Sequence, residues 1–171
     1  LNPLLGEPPS REFVNEIRTI VMAHPEILGI HDLVVHDYGP GRRMISLHGE
    51  VSGDCDIFEI HDVIDRIEKE LKEKLGCEAV IHMDPIVTDD AETNEMRSRV
   101  AQLAKEIDPK LSIHDFRMVK GDTHTNLIFD VAVPYECHLT DVEVSNEMKE
   151  KVKNIPGHQY FAVMQIDRVY V

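Results

Sequence analysis

A repeat within the chain of 171 residues constrains its fold more than any other feature of the sequence. The stretch Ile30-His31-Asp32-Leu33 recurs as Ile113-His114-Asp115-Phe116, so that His114 follows His31 by 83 residues. Apolar positions on both sides of this stretch recur at the same spacing, or at one residue less after the first turn. Because two copies are too few for a solenoid, the repeat predicts two tandem small domains. The length of the chain also allows two small domains.

Each copy predicts the order helix, strand, strand, helix, strand. In the first copy, Ser10 can cap a helix whose apolar residues recur at helical spacing and which Pro25 ends. Asp56 can cap a second helix, and Gly76 stops it. The apolar positions expected to face inward on this second helix are Ile57, Ile60, Ile64, Ile67 and Leu71. The predicted strands cover residues 28–38, 43–52 and 78–84.

This pattern indicates an α+β fold class. Strands with one apolar face, together with two helices, predict a two-layer sandwich in which the helices cover one side of the sheet. The expected organisation is two tandem αββαβ sandwiches, with the first domain at residues 10–87 and the second at 88–171. A segment at residues 1–9 precedes them.

Charge and motifs exclude several classes of protein. The chain has 18 Lys and Arg against 32 Asp and Glu, a net charge of −14, whereas binding to a nucleic-acid backbone depends on basic patches. We therefore expect no nucleic-acid partner. The sequence contains no G-x-S-x-G elbow, no Gly-rich phosphate loop and no H-E-x-x-H helix, so we predict that the protein is not an enzyme.

Metal-ligating side chains are placed on the polar faces of the predicted strands. His48 is out of phase with the apolar residues of its strand, and His82 and Asp84, two residues apart, leave the same face of the last strand. His31 lies in the first strand and His61 on the second helix. Imidazole nitrogen and carboxylate oxygen are donors for Zn²⁺, Mn²⁺ or Fe²⁺. Scattered surface histidines remain the alternative interpretation of this pattern.

A family resemblance covers about residues 1–86. The first copy resembles the cytosolic C-terminal domain of cation diffusion facilitator transporters, also called the zinc transporter dimerisation domain. The resemblance implies a metallochaperone-like (ferredoxin-like) αββαβ fold and a homodimer. It also implies a divalent metal bound near the dimer interface, which biases a membrane domain that exchanges metal for protons. The matching stretches are Ile30-His31-Asp32-Leu33, Tyr38-Gly39-Pro40, Ile45-Ser46-Leu47-His48, Glu59-Ile60-His61 and Ile81-His82-Met83-Asp84-Pro85.

The same resemblance implies the ligands and the setting. The positions that match metal ligands of zinc-type members are His31, His48, His61, His82 and Asp84. Four histidines favour Zn²⁺, with Mn²⁺ and Fe²⁺ as alternatives. The segment 1–9 is similar to the family's exit from its last transmembrane helix. We therefore expect the protein's own transmembrane domain as a partner, at the cytoplasmic face of the cell membrane, with this fragment soluble.

The second copy departs from the family pattern. The positions that correspond to the ligands hold His114, Asp130, Gln165 and Asp167, with Val144 or Ser145 in place of His61. Because Gln is a poor zinc ligand, we expect this copy to keep the fold and mostly lose the metal. A weak, oxygen-rich site at His114, Asp130 and Asp167 remains open.

The predicted function is that of the cytosolic regulatory and dimerisation domain of a zinc-type cation efflux transporter. Two alternatives remain open at this point. A soluble metallochaperone or metal-buffering protein would use the same site without a membrane partner. A dimerisation-only module would carry vestigial metal ligands and assemble without metal.

Overall fold

The computed structural model describes residues 9–170, which divide between Pro85 and Ile86 into two compact units. Each unit has the order αββαβ, so the predicted α+β class is confirmed. The elements up to the boundary are α1 (Arg11–Met22), β1 (Gly29–Asp37), β2 (Arg43–Ser52), α2 (Ile57–Leu75) and β3 (Cys77–Ile86). Those beyond it are α3 (Asp90–Ile107), β4 (Ser112–Lys120), β5 (Thr125–Pro134), α4 (Asp141–Lys153) and β6 (Tyr160–Val169).

One prediction from the sequence concerns a membrane. Of the segment 1–9, predicted as the exit from a transmembrane helix, residues 1–8 lie outside the described residues. Among the helices at residues 9–170, none combines the length and the hydrophobicity that a bilayer span requires.

Both helices of the first unit begin where the sequence predicts, and α2 also ends there, whereas α1 ends at Met22, before Pro25. The Ser10 Oγ accepts a hydrogen bond from the backbone N–H of Phe13 at 3.1 Å, which caps α1. Asp56 caps α2 by accepting from the N–H groups of Phe58 and Glu59 at 2.9 and 3.0 Å. Gly76 ends α2 in the left-handed conformation, with φ 64°, which a residue without Cβ adopts at little cost.

The core of the first unit lies between the helices and one face of its strands. β2 lies between β1 and β3, and Leu47 of β2 is buried together with Ile17 of α1 and Ile67 of α2. The prediction that Ile57 faces inward is wrong, because its exposed fraction is 62%, whereas Val63 is buried. Helical periodicity indicates the face on which a residue lies but not how far the packed layer extends along the helix. Ile57 is the first residue of α2.

The second unit builds its core in the same way. β5 lies between β4 and β6, antiparallel to β4 and parallel to β6. Leu127 and Phe129 of β5 are fully buried with Met148 of α4. Thr140 and Glu143 form a reciprocal capping box at the start of α4.

Both units carry the same irregularity in the first strand pair. The antiparallel register of β1 with β2 shifts just after His31, where Asp32 has a positive φ of 52°. The register of β4 with β5 shifts just after His114, where Asp115 has a φ of 54°. Positive φ is uncommon outside glycine, and Asp tolerates it better than most residues. A β-bulge of this kind changes the direction of nearby side chains.

Candidate metal centre

Three of the five predicted ligands converge in the first unit. His48, His82 and Asp84 bring one ligand atom each to within 4.8 Å of one another. The Nδ1 of His48 lies 3.0 Å from Oδ2 of Asp84 and 3.2 Å from Nδ1 of His82. The Nδ1 of His82 lies 3.7 Å from Oδ1 of Asp84.

Strand alternation explains why these side chains meet. Leu47 is buried in the core under the helices, so its neighbour His48 points to the opposite face of β2. Asp84 and His82 share one face of β3, the strand next to β2. The Asp84 side chain is 10% exposed while that of His82 is 70% exposed. The group therefore opens to solvent on the His82 side.

His31 joins this group through Asp84. Its Nε2 lies 3.0 Å from Oδ2 of Asp84, and its ring stacks on that of His48 with centroids 4.8 Å apart. Its Nδ1 lies 2.9 Å from Oε2 of Glu50. With Asp32 and His48, His31 also forms a second group of three ligand atoms within 4.8 Å.

His61, the fifth predicted ligand, belongs to neither group. It is an exposed residue of α2, and α2 packs on the face of the strands that carries Leu47. His48 lies on the other face of β2. The described part of one protomer therefore holds four of the five predicted side chains together, with His61 on the helix side of the sheet.

The converging atoms fit a divalent metal such as zinc. Imidazole nitrogen and carboxylate oxygen are the donors that zinc takes alongside thiolate, usually four in a tetrahedron. Ligand atoms about 2.1 Å from a tetrahedral ion lie about 3.4 Å from one another. The two Nδ1 atoms of His48 and His82 lie 3.2 Å apart, and each lies 3.0 or 3.7 Å from one of the two carboxylate oxygens of Asp84, which is close to that value.

Electrostatics of the metal-free group favour a charged imidazole at His31. Burial by itself lowers the pKa of His31, but the hydrogen bonds to the Asp84 and Glu50 carboxylates outweigh it and raise the pKa to about 9. Burial by itself raises the pKa of Asp84, and the contacts with His31 and His48 outweigh it and lower that pKa. A metal ion at His31 therefore competes with a proton.

The corresponding positions of the second unit are arranged differently. His114 pairs across the strands with Asp130, as His31 pairs with His48, and Asp130 pairs with Gln165. Burial, a hydrogen bond with the Asp115 carboxyl group and the nearby Asp167 charge raise the pKa of Asp130. Among residues 86–170, no three His, Cys, Asp or Glu side chains bring ligand atoms within 4.8 Å of one another.

Two residues of the first unit were missed as parts of the site. Asp32 contributes to the second group, but its position follows from the bulge, which residue spacing does not reveal. Glu50 contacts His31, and a signal for it was present, because Glu50 follows His48 by two residues on the polar face of β2. An acidic residue two positions from a histidine on the same strand face is a local signal for such a contact.

Comparison with known families identifies the class of the first unit. Residues 9–86 match the family model described as the cation efflux protein, cytoplasmic domain. The first unit belongs to this family, so the resemblance seen in the sequence is confirmed for it. The description as a cytoplasmic domain agrees with the predicted location.

The individual relatives are cation-efflux pumps. They include FieF of Klebsiella pneumoniae, 35% identical over 71 residues, and FieF of Yersinia enterocolitica, 37% identical over 71 residues. Each match covers 41% of this chain and 23% of the relative, so the chain spans less than a quarter of the length of these relatives.

Solved structures with similar chains come from named transporters. A structure on the mode of action of a proposed zinc transporter, CzrB, is 34% identical, with 47% of this chain and 98% of that chain covered and a TM-score of 0.42. The metal-bound C-terminal domain of the CzcD transporter from Thermotoga maritima is 21% identical, with 45% and 94% covered and a TM-score of 0.40.

Proposed function

We propose that the first unit is the metal-binding regulatory and dimerisation domain of a divalent-cation efflux transporter, and that its metal is zinc. The convergence of His48, His82 and Asp84 from two neighbouring strands is the observation that supports this proposal most strongly. The names of the relatives agree with a role in cation efflux.

The proposed ligands are the five side chains chosen from the sequence. His31, His48, His82 and Asp84 would act within one protomer, where their ligand atoms already lie close together. His61 would reach a metal only from the partner protomer of a homodimer, since it lies on the helix side of its own sheet. Such sharing would couple metal binding to assembly.

The regulatory part of the proposal follows from this coupling. A ligand shifts an equilibrium between two arrangements only by its difference in affinity for them. If His61 completes the site in one arrangement of the two protomers, binding favours that arrangement. The transmembrane domain attached to residues before the first unit would then be biased by the same free energy.

We further propose that residues 88–171 are a degenerate second copy of the domain at residues 10–87. The shared αββαβ order and the bulges at Asp32 and Asp115 support a duplication. Asp130 and Gln165 stand in place of two histidines, which supports loss of the zinc site from this copy.

Calorimetric titration of the metal-stripped chain with zinc tests the proposed site. We expect saturable binding by the parent and loss of most of the heat in His82→Ala. The matched control is Asp167→Asn, which alters the position in the second unit that corresponds to Asp84 and should leave zinc binding unchanged. A parent without saturable zinc binding at neutral pH would refute zinc as the metal, and Mn²⁺ would be titrated next.

Sedimentation velocity with and without zinc tests the dimer. We expect the parent to dimerise. We also expect the dimer of His61→Ala to bind zinc more weakly than the dimer of the parent. A chain that stays monomeric while binding zinc would favour a metallochaperone or buffer instead. A dimer that binds no metal would favour a dimerisation-only module.

A further inference from the structure

We propose that Glu50 is a positioning residue for the metal site, which orients His31, and that Gly29 provides the space for the Glu50 carboxylate. The proposal rests on the metal-binding function proposed above. Gly29 and Glu50 both lie outside the predicted ligand set. The five predicted ligands alone do not explain why the Glu50 carboxylate is buried.

The two ring nitrogens of His31 contact two different carboxylates. The Nδ1 atom lies 2.9 Å from Oε2 of Glu50, and the Nε2 atom lies 3.0 Å from Oδ2 of Asp84. A hydrogen bond from Nδ1–H to a carboxylate determines which nitrogen keeps its proton and fixes the ring orientation. When a metal displaces the proton from Nε2 of His31, Glu50 therefore holds the remaining proton on Nδ1, and Nε2 faces the side where Asp84 lies.

The Glu50 side chain is buried next to the His31 ring. Glu50 is 2% exposed, among the most buried polar residues of the described chain. Burying a carboxylate costs free energy unless it is paired and hydrogen-bonded. The contact with His31 provides such pairing, so the two side chains stabilise each other's position.

Gly29 lies opposite Glu50 in the strand pair of β1 and β2. A Cβ atom at Gly29 would lie 2.9 Å from Oε1 and 3.1 Å from Cδ of Glu50, so any other residue at position 29 would require the Glu50 carboxylate to move. The backbone at Gly29 is not left-handed, so its conformation does not require glycine. With glycine at position 29, the Glu50 carboxylate can keep the position from which it contacts His31.

The second unit provides an internal comparison. In the strand pair of β4 and β5, Ser112 and Ala132 occupy the register positions that Gly29 and Glu50 hold in the first unit. The second unit folds with this pair, so the αββαβ fold does not require the buried carboxylate. The first unit, which has His48, also has the Gly29–Glu50 pair. The second unit, which has Asp130 in place of His48, has no such pair.

The imidazole of His114 makes a different contact from that of His31. Its Nε2 lies 3.3 Å from the Ser112 hydroxyl, whereas the Nε2 of His31 lies near the Asp84 carboxylate. The equivalent histidines of the two units therefore use their Nε2 atoms differently, and the difference coincides with the presence of Glu50.

The double variant Gly29→Ser/Glu50→Ala tests this role, because it carries the pair that the second unit already tolerates. We expect its zinc affinity, measured by calorimetry, to fall about 10- to 100-fold, the usual effect of removing a group that orients a ligand. The ligand-field absorption bands of Co²⁺ bound at the site should also shift. Glu50→Gln keeps an oxygen that accepts from Nδ1–H and should retain an intermediate affinity.

A matched control removes a different carboxylate from a histidine in the same unit. Glu70 lies 2.8 Å from Nε2 of His24, so Glu70→Gln weakens a similar contact and should leave zinc affinity and the Co²⁺ spectrum unchanged. Histidine ¹⁵N spectra of the zinc-loaded parent provide a test that needs no variant. We expect His31 to be protonated at Nδ1 and to bind zinc through Nε2.

The results separate this proposal from the function on which it rests. A parent that binds neither zinc nor Co²⁺ refutes the proposed function and the role of Glu50 together. A parent that binds zinc, with an unchanged affinity and spectrum in the double variant, refutes the role of Glu50 alone. Zinc bound through Nδ1 of His31 would also overturn it.

Discussion

Raising the pH from 6.5 towards 9 should destabilise the first unit of the metal-stripped protein. His31 has a pKa of about 9 in the fold, against 6.5 for the free side chain, because its contacts with Glu50 and Asp84 favour the charged form. Below pH 6.5 the imidazole is protonated in both the folded and the unfolded chain, and its stabilisation is fully present. Between 6.5 and 9 only the folded chain holds the proton, so stability falls as the pH rises.

The size of the effect follows from the two pKa values. A pKa of about 9 against 6.5 corresponds to at most about 3 kcal/mol of folding free energy. The Asp84 contact is part of the same interaction, so its lowered pKa is not an additional contribution over this pH range. The His31 side chain is 10% exposed, which limits screening by solvent.

Urea unfolding between pH 6 and 9.5 in the presence of a chelator measures this loss. Hydrogen exchange of amides in β1 and β2 distinguishes the first unit from the second. The control is His31→Gln, which removes the titrating group and should flatten the difference in stability between pH 6.5 and 9. A parent whose first unit is equally stable or more stable at pH 9 would refute the reasoning.

Three substitutions test the packing that holds the site in place. Gly76→Ala should cost about 1 kcal/mol, because Gly76 has a φ of 64°, and urea unfolding measures it; no loss would contradict the left-handed cap. Leu47→Ala should cost about 2–5 kcal/mol, because Leu47 is 1% exposed in the core, and a smaller loss in the same assay would contradict its burial. Asp32→Val should lower the melting temperature of the first unit more than Asp32→Asn, because a β-branched residue resists a φ of 52°. Equal melting temperatures would argue against the bulge.

Much of the fold could be predicted because its signals are local. Capping by Ser10 and Asp56, the stop at Gly76 and the alternation along β2 each depend on residues a few positions apart. The prediction for Ile57 was wrong because exposure depends on what other elements cover, and a pattern along one helix carries no information about that.

The sequence predicted which strand faces carry the polar side chains of the candidate site. It did not predict which of these side chains contact one another. Alternation placed His48 on one face of its strand and His82 with Asp84 on one face of another. The role of Glu50 depends on which residues of β1 lie opposite it, and the bulge after His31 changes that register. Residue spacing within a strand cannot report a register shift between two strands.

The sequence by itself determined the order of elements, the internal repeat and the residues on each strand face, because these follow from periodicity and short-range capping. Only the tertiary structure decided that His31 bridges Glu50 and Asp84, and that His61 stays on the helix side. Those relations depend on strand pairing and layer packing, which bring together residues far apart in the chain. Physical distance between donor atoms, which decides metal binding, exists only in the folded protein.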